Sequence, residues 1–510
     1  FGEALLQFSG IKLKNKSITQ ANAEFYPNSA KFTFSLKMYL CSLNLVTTMN
    51  MSYRRYINRF CFGLFLFLFF PQIGLFAQHQ ISGTIADYAN QKVFLEAYYG
   101  EDLIPVDTAF SNQEGAFSFD ALGENGMYRI SLSAGPSLQL LFEGQPVQFV
   151  WNNYQQNRQI QFINSPENQI WNDYQALRDK TFFLQDLLKP VIRDYDRKAR
   201  FYQLALIEFD SLQNNYQSKV DSWIAESPES LAALYIKTDM RPALDLTSSF
   251  KSQREKLKQH FFDHTDFGDT LLIRSNILTR KMIDFLSLFQ AEEESMQAIQ
   301  FEFIKGLDVL FEKAAVEPKM YVFALDYLIE GFAQLGLPAV TDYISSLPHF
   351  DQVCMETETY IEIEQIVGPY RSTVLGAPAP DLIPEDIDGN PFSWSQIEKT
   401  NTLLVFWSIT CPHCIELMPK LKAFADQHPD FEIVSVVLNP DNKILRDFLN
   451  QEGLNNWIHL SDGLGWESPM AKDYNIFGTP SLFVLDADKN IISKPSGIKE
   501  LQEFITAKNQ

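Results

Sequence analysis

The sequence predicts a multidomain chain: an N-terminal all-β, sandwich-like region, a central all-α region and a C-terminal α/β domain. Three observations carry this. Between 80 and 163, short segments of β-forming residues alternate with turn residues. From 166 to 365, apolar residues recur every three or four positions. Beyond 380, strand-like and helix-like segments alternate. The 510 residues suffice for three domains, each of roughly 150 residues. With 46 % hydrophobic residues, the chain can bury large cores.

The formal net charge of −21 argues against a nucleic-acid partner, because binding phosphate requires a positive face. Only five cysteines are present, Cys41, Cys61, Cys354, Cys411 and Cys414, too few for a framework of structural disulfides.

The first 77 residues predict no folded domain. Residues 1–50 show no sustained period and are read as a non-native upstream extension, with translation starting at Met51 or Met49. Residues 51–77 have the make-up of a signal peptide. Arg54, Arg55 and Arg59 precede an apolar core, Phe60 to Phe70, and cleavage is expected after Ala77. The apolar stretch 60–77, interrupted by Pro71, is marginal for spanning a bilayer, so membrane association follows only if this segment stays uncleaved. The expected location is the periplasm or cell envelope.

Residues 78–164 read as the β region. Segments such as KVFLEAYY, MYRISLS and PVQFVW are separated by turns at Gly100, Asn112–Gly115 and Gly144. The region contains no cysteine and no phosphate loop, and is expected to bind or pack. Residues 165–365 read as about eight helices, with Gly and Pro mostly at the joints. Within them His260 and His264 are spaced to share a helix face, but no third metal ligand suggests itself, and a solvated helix end is expected. The run Glu292–Glu294 reads as a solvated face, and Cys354 as a small buried residue.

Residues 366–510 comprise a Gly/Ala/Pro-rich linker, to about 380, and the α/β domain. LLVFWSI predicts a buried strand, 411–427 a helix, and FEIVSVVLN a second strand. A helix from 441 to about 450, a short strand WIHL and a helix around 468–474 follow. SLFVLDAD and NIISKPSG predict a closing hairpin before a terminal helix at 498–507.

The motif Cys411-Pro412-His413-Cys414 falls where the first strand runs into the first helix. A C-x-x-C can be a redox pair, half of a zinc site or an accident. Zinc needs about four ligands, and no second C-x-x-C or H-x-x-C exists. A helix N-terminus presents free N–H groups and the positive end of a dipole, which lower a cysteine pKa. Cys411 is therefore expected to hold the thiolate, and Cys414, one turn in, to be the more buried, resolving thiol.

The segment resembles the thioredoxin fold, and more closely the TlpA/ResA-like thiol-disulfide oxidoreductases of bacterial envelopes. GAPAPDL with DIDGNPFSWSQI, LLVFWSITCPHC, Pro419, and Gly478-Thr479-Pro480 before SLFVLD carry the resemblance. It covers about 135 residues of this sequence; the regions ahead of it resemble, more weakly, those of TlpA-like proteins from Bacteroidota.

The resemblance implies thiol-disulfide exchange at Cys411 and Cys414, with no cofactor beyond that pair and no metal. It also implies a cis Pro480 beside the cysteines, Thr479 backbone groups open to a substrate strand, and Trp407 shaping the docking surface. The partners it implies are protein thiols and disulfides of the envelope and a redox partner for recycling.

Two departures concern the proton path. Where relatives place an acid, this chain has Val405 and Leu417, and Glu416 should face elsewhere. The Pro-His dipeptide resembles the DsbA group of oxidases, which predicts a more oxidising pair than in a C-x-P-C relative. An alternative of another class is an envelope binding or adaptor protein, whose β and helical regions hold a partner while the redox pair is vestigial or a switch.

Overall fold

A computed structural model of the chain describes residues 80–508, apart from 121–122, 134, 153–158, 290–294, 348–356, 384 and 439–441. The upstream extension, the leader, Cys354 and the Glu292–Glu294 run lie outside the described residues. The described chain divides into two compact units, 80–97 with 102–175, and 98–101 with the residues from 176 onward.

The first unit is built on β1 (Gln80–Ile85), β2 (Lys92–Tyr99), β3 (Asp102–Phe110), β4 (Ala116–Asp120), β5 (Gly126–Leu132), β6 (Ser137–Phe142), β7 (Val147–Asn152) and β8 (Gln159–Phe162). These form two four-stranded sheets, ordered β4-β1-β7-β8 and β3-β2-β5-β6. Alternation along the strands sends Ile81, Phe149 and Trp151 of one sheet, and Leu95, Ile130 and Leu140 of the other, into one core. Burying each such side chain contributes roughly 1.5–3 kcal/mol. Gly83 lets this core close: a Cβ there would stand 2.5 Å from the Phe149 ring. Antiparallel β4 flanks β1 on one side and parallel β7 on the other. That last pairing joins segments too distant in sequence for local alternation to reveal.

The helices are α1 (Pro166–Asp194), α2 (Arg200–Glu226), α3 (Leu231–Asp239), α4 (Phe250–His260), α5 (Ile277–Ser287), α6 (Met296–Ala314), α7 (Pro318–Gln334), α8 (Pro338–Ser346) and α9 (Thr357–Arg371). The sequence predicts about eight. The nine among the described residues include α3 and α8, each of nine residues and too short to show a clear period. Ser230, Ser249 and Ser295 cap α3, α4 and α6 by accepting backbone N–H groups, a contribution of about 1 kcal/mol each. Pro318 and Pro338 open α7 and α8, where a missing N–H costs nothing.

The solvated helix end expected at His260 and His264 is what the structure shows, though the two do not share a helix face. Helix α4 ends at His260, so His264 lies beyond it in a turn. The exposed His260 Nδ1 instead lies 2.8 Å from Asp263 Oδ2.

The C-terminal sheet has the order β11-β10-β9-β12-β13, formed by β9 (Asn401–Trp407), β10 (Phe431–Val437), β11 (Ile458–Leu460), β12 (Ser481–Leu485) and β13 (Ile491–Ser493). The first three strands run parallel, while β12 is antiparallel to β9 and β13 antiparallel to β12. Around it stand α10 (Pro412–Gln427), α11 (Asn442–Glu452), α12 (Pro469–Asp473) and α13 (Ile498–Lys508). Every residue of β9 is buried, because both sheet faces are covered. Leu403, Val405 and Trp407 enter one core with Leu417, Leu421 and Leu449, while Leu404 and Phe406 enter another with Tyr474 and Phe483.

The predicted linker at 366–380 is corrected. Helix α9 continues to Arg371. Beyond it the chain pairs along the free side of β13: Gly376 N–H donates to Ile491 O at 2.7 Å, Ile491 N–H to Ala377 O at 2.8 Å, and Ala379 N–H to Lys489 O at 2.8 Å. Backbone groups at a sheet edge need partners, and this segment supplies them. Lys494, just past β13, donates to Asp342 Oδ1 of α8 at 2.6 Å, with both side chains largely buried.

Candidate active site

Strand β9 ends at Trp407, and the turn 408–411 delivers the chain to α10. Cys411 N–H donates to Ser408 O at 3.1 Å, and the Ser408 and Thr410 hydroxyls lie 2.9 Å apart. Cys411 is the N-cap of α10, in an extended conformation, with Pro412 in the first turn. Its carbonyl accepts from Cys414 N–H and Ile415 N–H, both at 3.1 Å. The sequence thus places Cys411 where unpaired amide hydrogens converge. One helical turn on, Cys414 points inward and is fully buried, whereas Cys411 keeps partial access to solvent.

The loop 474–480 reaches the pair from the other side. Ser481 of β12 pairs with Phe406 of β9, so the residues just before it stand beside the end of β9. The Thr479–Pro480 peptide is cis. Cys411 Sγ lies 3.3 Å from Thr479 O, to which its thiol donates.

Both cysteines are free thiols, and their surroundings drive them apart. Burial favours the neutral form of Cys411. This is outweighed by the Cys414 thiol, the Thr479 side chain and the backbone N–H groups of Cys414 and His413, which hold its pKa below the ordinary cysteine value. Cys414 is pushed up to about 11, first by burial and then by sharing its proton with Cys411.

His413 and Pro412 are exposed. His413 favours the Cys411 thiolate through its backbone N–H, although no capping hydrogen bond to Cys411 Sγ is formed, a role that the residue type does not announce. Trp407 is fully buried, which corrects the expectation that it shapes a docking surface. Its Nε1 donates to Ser435 Oγ at 2.7 Å and its ring lies 5.5 Å from that of Phe448. It shares strand parity with Leu403 and Val405 and therefore faces the core beneath α10.

Val405 and Leu417 are buried, and Glu416 is exposed on the far side of the helix turn. Among the described residues, the groups that perturb Cys414 are Cys411, Ser408 and Thr479, none of them an acid. No group of three or more metal-ligating side chains gathers among the described residues. Sequence reasoning missed the Ser408–Thr410 hydroxyl pair and the bond from Cys411 to the carbonyl of Thr479, whose backbone groups it expected to be open to a substrate strand. The only signal for either is its adjacency to the cysteine motif or to Pro480.

Residues 375–504 match the Redoxin family. Over 133 residues the chain is 26% identical to a thioredoxin-like protein of Haemophilus influenzae, a match covering 26% of this chain and 76% of that one. Over 112 residues it is 29% identical to the sporulation thiol-disulfide oxidoreductase A of Bacillus subtilis, covering 20% of this chain and 65% of the relative. Among solved structures it is similar to a thioredoxin-like protein from Bacteroides caccae. That match has a TM-score of 0.36 and 16% identity, covering 52% of this chain and 98% of the other.

Proposed function

We propose, from the premise that this chain is a TlpA/ResA-like oxidoreductase of the thioredoxin superfamily, that it exchanges disulfides with protein substrates of the cell envelope through Cys411 and Cys414. One observation carries the reading: a partly exposed thiol with a lowered pKa at a helix N-terminus, one turn from a buried thiol whose pKa is raised. The first is built to meet a partner and the second to wait for it.

In the reducing direction, the Cys411 thiolate attacks one sulfur of a substrate disulfide. A mixed disulfide forms and the other substrate sulfur leaves as a thiolate. Cys414 gives up its proton, to that leaving thiolate or to water, and attacks Cys411 Sγ. The Cys411–Cys414 disulfide closes, the second substrate sulfur is released, and two electrons have passed to the substrate. The oxidising direction is the same sequence reversed. No cofactor or metal takes part, and a second redox protein restores the starting state. Thr479 and Pro480 flank the reacting sulfur and receive the substrate backbone, with Pro412 and His413 at the rim. Residues 51–77 direct export.

Trapping tests this. Cys414→Ser cannot resolve the mixed disulfide and should accumulate covalent complexes with envelope proteins that a thiol reductant releases, while Cys411→Ser should form none. Absence of complexes with Cys414→Ser would return the chain to the binding or adaptor reading.

A further inference from the structure

The loop that brings Thr479 to Cys411 is held from behind by the end of α9. Helix α9 stops at Arg371, so the carbonyl of Pro369 is among those without an intrahelical donor. The Ser372 hydroxyl donates to it at 2.6 Å, and Asn475 Nδ2, from the loop, donates to it at 2.8 Å. Asn475 does so from a left-handed backbone conformation, φ 52°. The same Ser372 Oγ lies 3.0 Å from Asp473 O. Two residues past Asn475, the Phe477 ring stacks on Tyr370, with centroids 6.2 Å apart and planes 13° from parallel. Two residues further stands Thr479.

Tyr474 and Ile476 seat the start of the loop in the core, and the part beyond them is the part that the end of α9 holds. A cleft of about 370 Å³, lined by Gly336, Tyr370, Thr373, Phe477, Thr479 and Pro480, runs alongside. The loop could shift into this space if α9 did not fix it.

We propose that Asn475 and Tyr370 are positioning residues. From the end of α9 they hold 473–480 where Thr479 meets Cys411, so the helical region sets the reactivity of the redox thiol. The consequence for catalysis rests on the exchange reading, but the contact itself can be read on the thiol alone. Thr479 bears on Cys411 in two ways, its carbonyl accepting from the thiol and its side chain helping to hold the pKa down, so a displaced loop changes the acidity of Cys411.

The test uses the full chain and follows the pH dependence of Cys411 alkylation by iodoacetamide, resolved by mass spectrometry. Asn475→Gly keeps the left-handed backbone and removes the amide; Tyr370→Ala removes the stack; Tyr370→Phe keeps it. The alkylation midpoint should shift by about half a pH unit or more in the first two variants, roughly a threefold change in thiolate below the midpoint. It should stay in place in Tyr370→Phe. A merely structural brace would lower the unfolding temperature without moving the midpoint. Unmoved midpoints in folded Asn475→Gly and Tyr370→Ala would overturn the proposal, and if Tyr370→Ala does not fold, Asn475→Gly decides. An insulin-disulfide reduction assay run beside it separates the two claims. Inactive wild type with shifted midpoints sinks the exchange reading alone, whereas active wild type with unmoved midpoints sinks the brace alone.

Discussion

Two parts of the C-terminal domain act on the same sulfur and are written into the chain in opposite ways. The junction of β9 and α10 is one contiguous run, in which strand, turn, N-cap and both cysteines follow one another within 14 residues, 401–414. The support behind Thr479 is assembled from distant pieces; Asn475 and Pro369, which meet at its centre, are 106 positions apart. The difference teaches that reactivity can be encoded locally while its adjustment is left to tertiary packing.

The largest effect that sharpens this contrast lies within the junction. A thiolate fraction rises as pH passes its pKa, so reduced protein at pH 8 should be labelled at Cys411 at least about 100-fold faster than at Cys414. Labelling of Cys414 should become appreciable only as the pH nears about 11. In Cys411→Ser the Cys414 midpoint should fall but stay above the ordinary cysteine value, because burial is its leading cause. Comparable labelling of both thiols at pH 8 would erase the asymmetry on which the site depends.

Next in size is a distant contact. Burial disfavours the charge on both Asp342 and Lys494, which tolerate it because each answers the other. Lys494→Ala should therefore cost about 3 kcal/mol or more by stranding a carboxylate, measured by denaturant unfolding. The pair Asp342→Leu with Lys494→Met should recover most of that loss. A single variant as stable as wild type would show that this contact is dispensable.

The smallest effect returns to the junction. His413→Pro removes one N–H from the thiolate and so weakens the reduced form. The reduction potential should become more negative by roughly 30 mV for each tenfold change in the equilibrium. A glutathione titration that finds no change would mean that the backbone at 413 does not tune the pair.

Much of this was legible in the sequence for physical reasons. The buried run of β9, the proline in the first turn of α10 and the wide spacing to Pro480 are local signals, and local signals survive in one dimension. Trp407 was legible too, had its parity with Leu403 and Val405 outweighed its nearness to Cys411. Asn475 was not. A lone asparagine before a strand says only that a turn is possible, and nothing in Pro369-Tyr370 says what will lie against it. The same holds for the parallel pairing of β1 with β7, set by packing rather than by either segment alone.

The stretch 372–380 looks like a spacer, and its composition has a different use. By lying along β13 it becomes the outermost rung of the sheet, and Pro378 stands on that rung without an amide hydrogen. A β-sheet that ends in such a row offers little for a stranger's backbone to grip. Cut away at 381, the domain would keep its cysteines and lose its hem, leaving the outer backbone of the three-residue strand β13 bare.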